Sequence, residues 1–163
     1  MGRRPLGYPN YWILLTLVCI SFPVEVLSGE IIGKPIITDG DSIRIDQLRI
    51  RLHGIDAPET KQLCRRADSL EYRCGILATL KLTDLIGDHW VTCNQISIDR
   101  YKRIVAVCYA GSVNINAEMV RAGWALAYRR YSKEYIEEEV DARLAKRGIW
   151  EGQFTKPWEW RKK

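Results

Sequence analysis

Two acidic clusters, Asp39-Gly40-Asp41 and Asp56-Ala57-Pro58-Glu59, flank a stretch in which Ile43, Ile45, Leu48, Ile50 and Leu52 alternate with Arg44, Arg49 and Arg51. Carboxylates that meet beside a guanidinium suit a hard metal ion and a phosphate better than they suit an apolar core. For that chemistry the two clusters must be brought side by side. The period-2 alternation between them is the pattern of strands with one buried face. A strand pair turning near Asp46-Gln47 would join the acidic ends and leave an arginine next to them. That turn lacks the glycine expected of a tight two-residue loop, so turn chemistry alone does not fix its register.

The elements that must hold this stretch follow in order. Glu30 to Ile37 reads as a first strand interrupted by Gly33 and Pro35, and Ala57-Pro58 ends the strand pair because proline removes a ladder donor. Residues 60–75 are polar, irregular and rich in arginine. A helix fits Ile76 to Ile86, with Ile76, Leu77, Leu80, Leu85 and Ile86 as its apolar stripe and Gly87 at its exit. Strands follow over His89–Ile98 and Arg103–Tyr109, then a short helix, Ile115–Ala122, capped by Asn114 and stopped by Gly123. A last helix begins after Ser132, carries glutamates in its first half and Arg143, Lys146 and Arg147 in its second, and stops at Gly148. Its inward stripe is Tyr135, Ile136, Val140 and Leu144. The tail, with Trp150, Trp158 and Trp160, packs against the domain and ends basic. This order predicts an α+β fold, a small five-stranded OB-type β-barrel with about three packed helices.

The chain has 163 residues, one domain's worth. Its net charge of +5 favours polyanionic partners, nucleic acid first. Arg3 and Arg4 precede an apolar run from Tyr11 to Val24, and Val26-Leu27-Ser28 offers a cleavage site, so residues 1–28 read as a secretory signal peptide and 29–163 as the mature domain. The run is short for a membrane span; an uncleaved anchor is the alternative. Export, to the periplasm or medium, makes Cys64, Cys74, Cys93 and Cys108 candidates for two disulfides, with three connectivities open. Cys93 and Cys108 sit symmetrically about the turn at Asp99–Lys102, which pairs them across a hairpin and leaves Cys64 with Cys74. Zinc is the rival, but there is no Cys-x-x-Cys, and neither His53 nor His89 lies near a pair.

With these residues placed, Asp39-Gly40-Asp41-Ser42, then Arg51-Leu52-His53-Gly54-Ile55-Asp56-Ala57-Pro58-Glu59, then Asp99-Arg100-Tyr101-Lys102-Arg103 resemble, in order, the three active-site motifs of the staphylococcal nuclease family. Asn116 to Gly123 and Arg147 to Trp150 resemble its later helical segments. The resemblance spans about the whole mature chain. It implies an OB-barrel nuclease that is secreted, uses calcium and hydrolyses DNA and RNA to 3′-phosphorylated products. By motif, Asp41, Asp56 and the main-chain carbonyl of Ala57 match the metal ligands. Glu59 matches the water-activating carboxylate, and Arg51 and Arg103 match the arginines that hold the phosphate. Tyr101 is a candidate contact to substrate phosphate, and a monomer is expected. Ser42 stands where threonine is usual, and Ala57 replaces a frequent threonine without affecting a carbonyl ligand. Lys102 stands where the family has glycine; a positive φ there would strain the turn and re-aim Arg103.

Each part has a plainer reading. Asp-Gly-Asp alone is usually a turn, and Arg44 and Arg49 read as a solvated strand face. Tyr128 and Tyr131 are equally consistent with base stacking or with core. His53 and His89 read as structural or exposed. Beside the nuclease stand two alternatives: a non-catalytic OB-fold nucleic-acid-binding module of the cell envelope, and a disulfide-stapled interaction domain that binds calcium structurally.

Overall fold

The alternating stretch folds as the spacing predicts. In a computed structural model describing residues 1–2 and 29–163, Ser42–Ile45 pairs antiparallel with Leu48–Leu52, and Ser42 lies opposite Arg51. Ile43, Ile45, Ile50 and Leu52 are all buried. Asp46 makes the two-residue turn without glycine by taking φ 51° itself, a region that Asp tolerates better than most residues. Residues 3–28, nearly all of the predicted signal peptide, lie outside the described residues. Among the described residues, no helix is long and apolar enough to cross a membrane.

In chain order the elements are β1 (Glu30–Gly33), β2 (Pro35–Asp39), β3 (Ser42–Ile45), β4 (Leu48–Leu52), β5 (Ile55–Asp56), β6 (Cys64–Arg65), β7 (Glu71–Tyr72) and α1 (Cys74–Ile86). Then come β8 (Val91–Ile98), β9 (Ile104–Ala110), β10 (Val113–Asn114), α2 (Ile115–Arg121), β11 (Leu126–Ala127) and α3 (Ile136–Leu144). A 3₁₀ turn over Gly148–Glu151 and a short α4 (Pro157–Trp160) complete the chain.

The main sheet runs β1-β8-β9-β4-β3-β2, with the short β10 beside β9. Only Lys34 separates β1 from β2, so the two ends of that path are halves of one bent strand. One half pairs with β8 and the other with β3. The sheet thereby closes on itself as a five-stranded barrel, with β4 and β9 its parallel neighbours, which is the OB arrangement. Gly33 lies at the bend because a Cβ there would approach Ile45 Cγ2 to 2.4 Å.

The core fills the barrel and the space beneath the helices, where α1 contributes Ala78, Leu82 and Ile86 and α2 contributes Ile115, Met119 and Val120. The disulfides are the pairs predicted, Cys64–Cys74 and Cys93–Cys108; the second staples directly opposed residues of β8 and β9. Asn114 caps α2 through its side chain, which accepts from Ala117 N.

Three local expectations need correction. α1 starts at Cys74 rather than Ile76 and buries an Ala78-Leu82-Ile86 face, leaving Leu80 exposed. α3 starts at Ile136, because Ser132 Oγ spends its acceptor on Glu134 N in a local turn instead of capping the helix. Leu144 of its predicted stripe is exposed, while Glu139 is buried. The reason is polar: Glu139 accepts from Ala127 N at 3.0 Å and pairs with Arg129 at 2.5 Å, tying α3 to β11.

Candidate active site

β11 in turn pairs with β5, Leu126 against Asp56, so a buried carboxylate on α3 helps to place a second one in the barrel. Asp56 is completely buried and Asp41 nearly so. Asp41 sits on the turn between β2 and β3, where its N–H donates to Asp39 Oδ1 at 3.0 Å and its carbonyl accepts from Leu52 N at 2.9 Å. Its own carboxylate accepts from Ser42 Oγ, from Ala57 N at 2.9 Å and from Arg51 Nη1 at 2.5 Å. The other Nη of Arg51 donates to Asp56 Oδ1 at 2.6 Å. One guanidinium thus spans both aspartates, as the strand pairing requires. Gly40 permits it: a Cβ there would lie 2.8 Å from the Cβ atoms of Ala57 and Ala78.

Glu59 lies just beyond, half-buried, on the loop that leaves β5; its N–H donates to the Gln62 side chain at 3.2 Å. A third arginine meets it there. Arg161, at the end of α4, donates from Nη1 to Glu59 Oε1 at 2.5 Å and to Asp56 Oδ1 at 3.1 Å, and from Nη2 to Asp56 Oδ2 at 2.8 Å. The tail packs against the domain as its tryptophans predict, but the arrival of Arg161 in the site is an addition to the residues expected there. The only signal available was a proline-initiated turn carrying tryptophans and a terminal basic group.

Asp41, Ala57, Glu59, Arg51 and Arg103 all line one open cleft of about 1290 Å³, with Tyr101 and Tyr128 further along it. Asp56 lies behind Arg51 and Arg161 as the floor. Arg103 comes from the turn before β9. Asp99 accepts from Arg103 N at 2.9 Å and from Arg103 Nε at 2.8 Å, which leaves neither Nη of Arg103 with a partner among the described residues. Tyr101 is exposed, beneath Arg100 and Arg103. Arg49, expected to be simply solvated, donates to Tyr101 O at 2.6 Å and so braces this turn. Arg44 is exposed, as expected. Tyr128 is half-buried and stacks on Trp158 at 5.1 Å, whereas Tyr131 is exposed. His53 is half-buried, with its carbonyl accepting from Asn116, and His89 is exposed.

Lys102 does take a positive φ, 59°, the strained value anticipated for a non-glycine residue there. Arg103 nevertheless lines the cleft, where the Asp99 carboxylate holds it. Lys102→Gly is therefore expected to stabilise the fold by up to about 1 kcal/mol with turnover unchanged. Denaturant unfolding of the two proteins, alongside their rates, checks both parts.

Charge in the cluster is finely opposed. Burial pushes the Asp56 carboxyl upward, Arg161 and Arg51 pull it back, Asp41 adds to the rise, and the net is upward. Burial works against the charge on Arg51, yet Asp41 and Asp56 outweigh it and hold the guanidinium above its usual value. Burial, with Asp41 beside it, raises Asp39 to about 6.

Among the described residues, no three His, Cys, Asp or Glu side chains form a ligand set. An ion here would have the carboxylates of Asp41 and Asp56, the Ala57 carbonyl, and otherwise water and substrate oxygen. Those donors are all hard, as calcium or magnesium requires. Two guanidinium groups already converge on the aspartates, so this end of the cleft is built around positive charge. Each aspartate Oδ2 also keeps a lone pair beyond its single protein hydrogen bond. The donor set fits a weakly held hard cation.

Comparison with known proteins identifies the family. The family model described as Staphylococcal nuclease homologue matches residues 49–152. The chain is 36% identical over 159 residues to an Escherichia coli protein named "Uncharacterized endonuclease", covering 92% of this chain and 96% of that one. It is 34% identical over 152 residues to "Micrococcal nuclease" of Shigella flexneri, covering 82% and 80%. Against "Probable staphylococcal-like nuclease CAN2" of Oryza sativa subsp. japonica it is 33% identical over 132 residues, covering 79% of this chain and 33% of that protein.

Proposed function

The chain belongs to the staphylococcal nuclease homologue family and is a nuclease, and from that premise we propose that it is an exported, calcium-dependent enzyme that hydrolyses DNA, RNA or both to 3′-phosphorylated products. The observation that supports this reading is the meeting of Asp41, Asp56, Glu59 and Arg51 at one end of a cleft that Arg103 also lines.

Asp41, Asp56 and the Ala57 carbonyl would hold the ion. When bound, it neutralises phosphate oxygens and orients the attacking water. Few protein charges imply an affinity of about 10⁻⁴–10⁻³ M. Glu59 Oε2, which faces no protein donor among the described residues, takes the proton from the attacking water. The water oxygen adds to phosphorus, the bond to the 5′ oxygen breaks, and that oxygen takes a proton from solvent. Arg103 Nη groups donate to the non-bridging oxygens, where charge gathers in the transition state. Tyr101 and Tyr128 extend the cleft for the strand on either side. The net charge, +5 for the full chain and +4 once residues 1–28 are removed with Arg3, Arg4 and Glu25, attracts the polyanion over longer range.

The basic start and apolar run within residues 1–28 support export, and a purified protein beginning at Gly29 would match processing after Ser28. The mature protein is expected to act as a monomer without a stable membrane partner. The decisive assay mixes the purified protein with single-stranded and duplex DNA and RNA, adding calcium, magnesium or chelator. Cutting with calcium, loss of cutting with chelator, and ends that resist 3′ extension until treated with phosphatase are expected. Binding without cutting under every cation would instead leave a nucleic-acid-binding OB module.

A further inference from the structure

The C-terminal segment is built into the site. Residues Arg65 and Gln153 exchange two main-chain hydrogen bonds of 2.8 Å. Gln62, fully buried, donates from Nε2 to Thr155 O at 2.6 Å while its Oε1 accepts from Glu59 N. Trp158 then stacks on Tyr128 with their rings 5° from parallel. Three attachments in succession thus deliver Arg161 to Asp56 and Glu59, where it forms two ion pairs of 2.8 and 2.5 Å.

Both oxygens of Asp56 are engaged by guanidinium, Oδ1 by Arg51 and Arg161 and Oδ2 by Arg161. A divalent ion that ligates Asp56 must displace Arg161 from it or share the carboxylate with it, and in either case approaches a fixed positive charge. We infer that Arg161 is the resident counter-cation of the ion site: it holds Asp56 and Glu59 in register and competes with the divalent cation for Asp56. Arg51 is not equivalent, because it bridges Asp41 and Asp56 and is part of what sets their spacing. Arg161 touches only one of the two aspartates, together with Glu59, and its side chain is 36% exposed. It can swing into the cleft without disturbing the core, which leaves the guanidinium beside the phosphate path. The affinity for the ion is then set by a residue that need not bind it.

This inference rests on the proposed ion ligands, so its test separates the two. Calcium is titrated calorimetrically into purified wild type, Arg161→Gln, Arg161→Lys and Asp41→Asn. Arg161→Gln is expected to bind calcium about tenfold more tightly, the order expected for removing a unit charge beside a divalent ion under near-aqueous screening. Arg161→Lys keeps the charge and should stay within about threefold of wild type. A variant cut after Trp160 should also bind more tightly, which covers any misfolding specific to glutamine. Wild-type binding that Asp41→Asn weakens, with Arg161→Gln no tighter than wild type, overturns this inference alone. Calcium binding that Asp41→Asn leaves unchanged, or no binding by any of the proteins, overturns the ion site and this inference with it.

Discussion

Replacing Glu59 by glutamine is expected to lower turnover by about 10²–10⁴-fold with the fold retained. Glu59 lies on a loop fixed by Gln62 and faces the cleft beside the aspartates, with one carboxylate oxygen engaged by Arg161. Glutamine has the same shape and keeps an oxygen for that guanidinium, but its amide cannot take a proton from water. The loss should fall on kcat and persist at saturating calcium, with little change in the thermal midpoint. Steady-state cleavage of a short single-stranded DNA at saturating calcium, together with a melting curve, measures all of this. A glutamine variant within threefold of the wild-type kcat would remove Glu59 from the proton transfer.

Arg51→Lys is expected to cost about 10²–10³-fold in turnover and, unlike the change at Glu59, also to destabilise the protein. Arg51 reaches both Asp41 and Asp56 with a planar fork, at 2.5 and 2.6 Å. A lysine ammonium keeps the charge but cannot span two carboxylates in that geometry. It would leave Asp41, nearly fully buried, without its ion pair while Asp56 keeps Arg161; removing one partner of a buried pair outright costs on the order of 3 kcal/mol or more. Arg103→Lys supplies the contrast. Its ion pair with Asp99 is partly exposed, so it should lose turnover without much loss of stability. Unfolding and rate measurements on the two variants distinguish an arginine that sets ligand spacing from one whose Nη groups reach into the cleft. Equal stability of the two variants would contradict the spacing role assigned to Arg51.

What could be read in advance was what depends on local pattern. The β3–β4 pairing follows from an alternation of Ile and Leu with Arg, and the Cys93–Cys108 bond follows from symmetry about one turn. The Asn114 cap and its helix follow from local hydrogen bonding. Features set by distant partners were not legible. Glu139 reads as one more surface glutamate among four, yet Ala127 N and Arg129 draw it inside. Leu144 has the right spacing to be buried, but α3 turns its Glu139–Ala142 face inward instead. Arg161 is 105 positions from Asp56 along the chain, and no short-range pattern links the two. The Lys102 strain could be anticipated from its place in the turn. The hold of Asp99 on Arg103 could not, because it depends on how Asp99 distributes its two oxygens.

The contact among Gly40, Ala57 and Ala78 sets a manufacturing tolerance for the whole centre. The hairpin that carries Asp41 rests on α1 with no room for even one added methyl group at Gly40. The height of that helix above the barrel is therefore gauged by atoms in touch rather than by adjustable polar links. Enlarging Ala78 from below would act as a shim under the catalytic hairpin, whereas substitutions on the solvent side of the same helix, at Leu80 or Thr83, leave the gauge untouched.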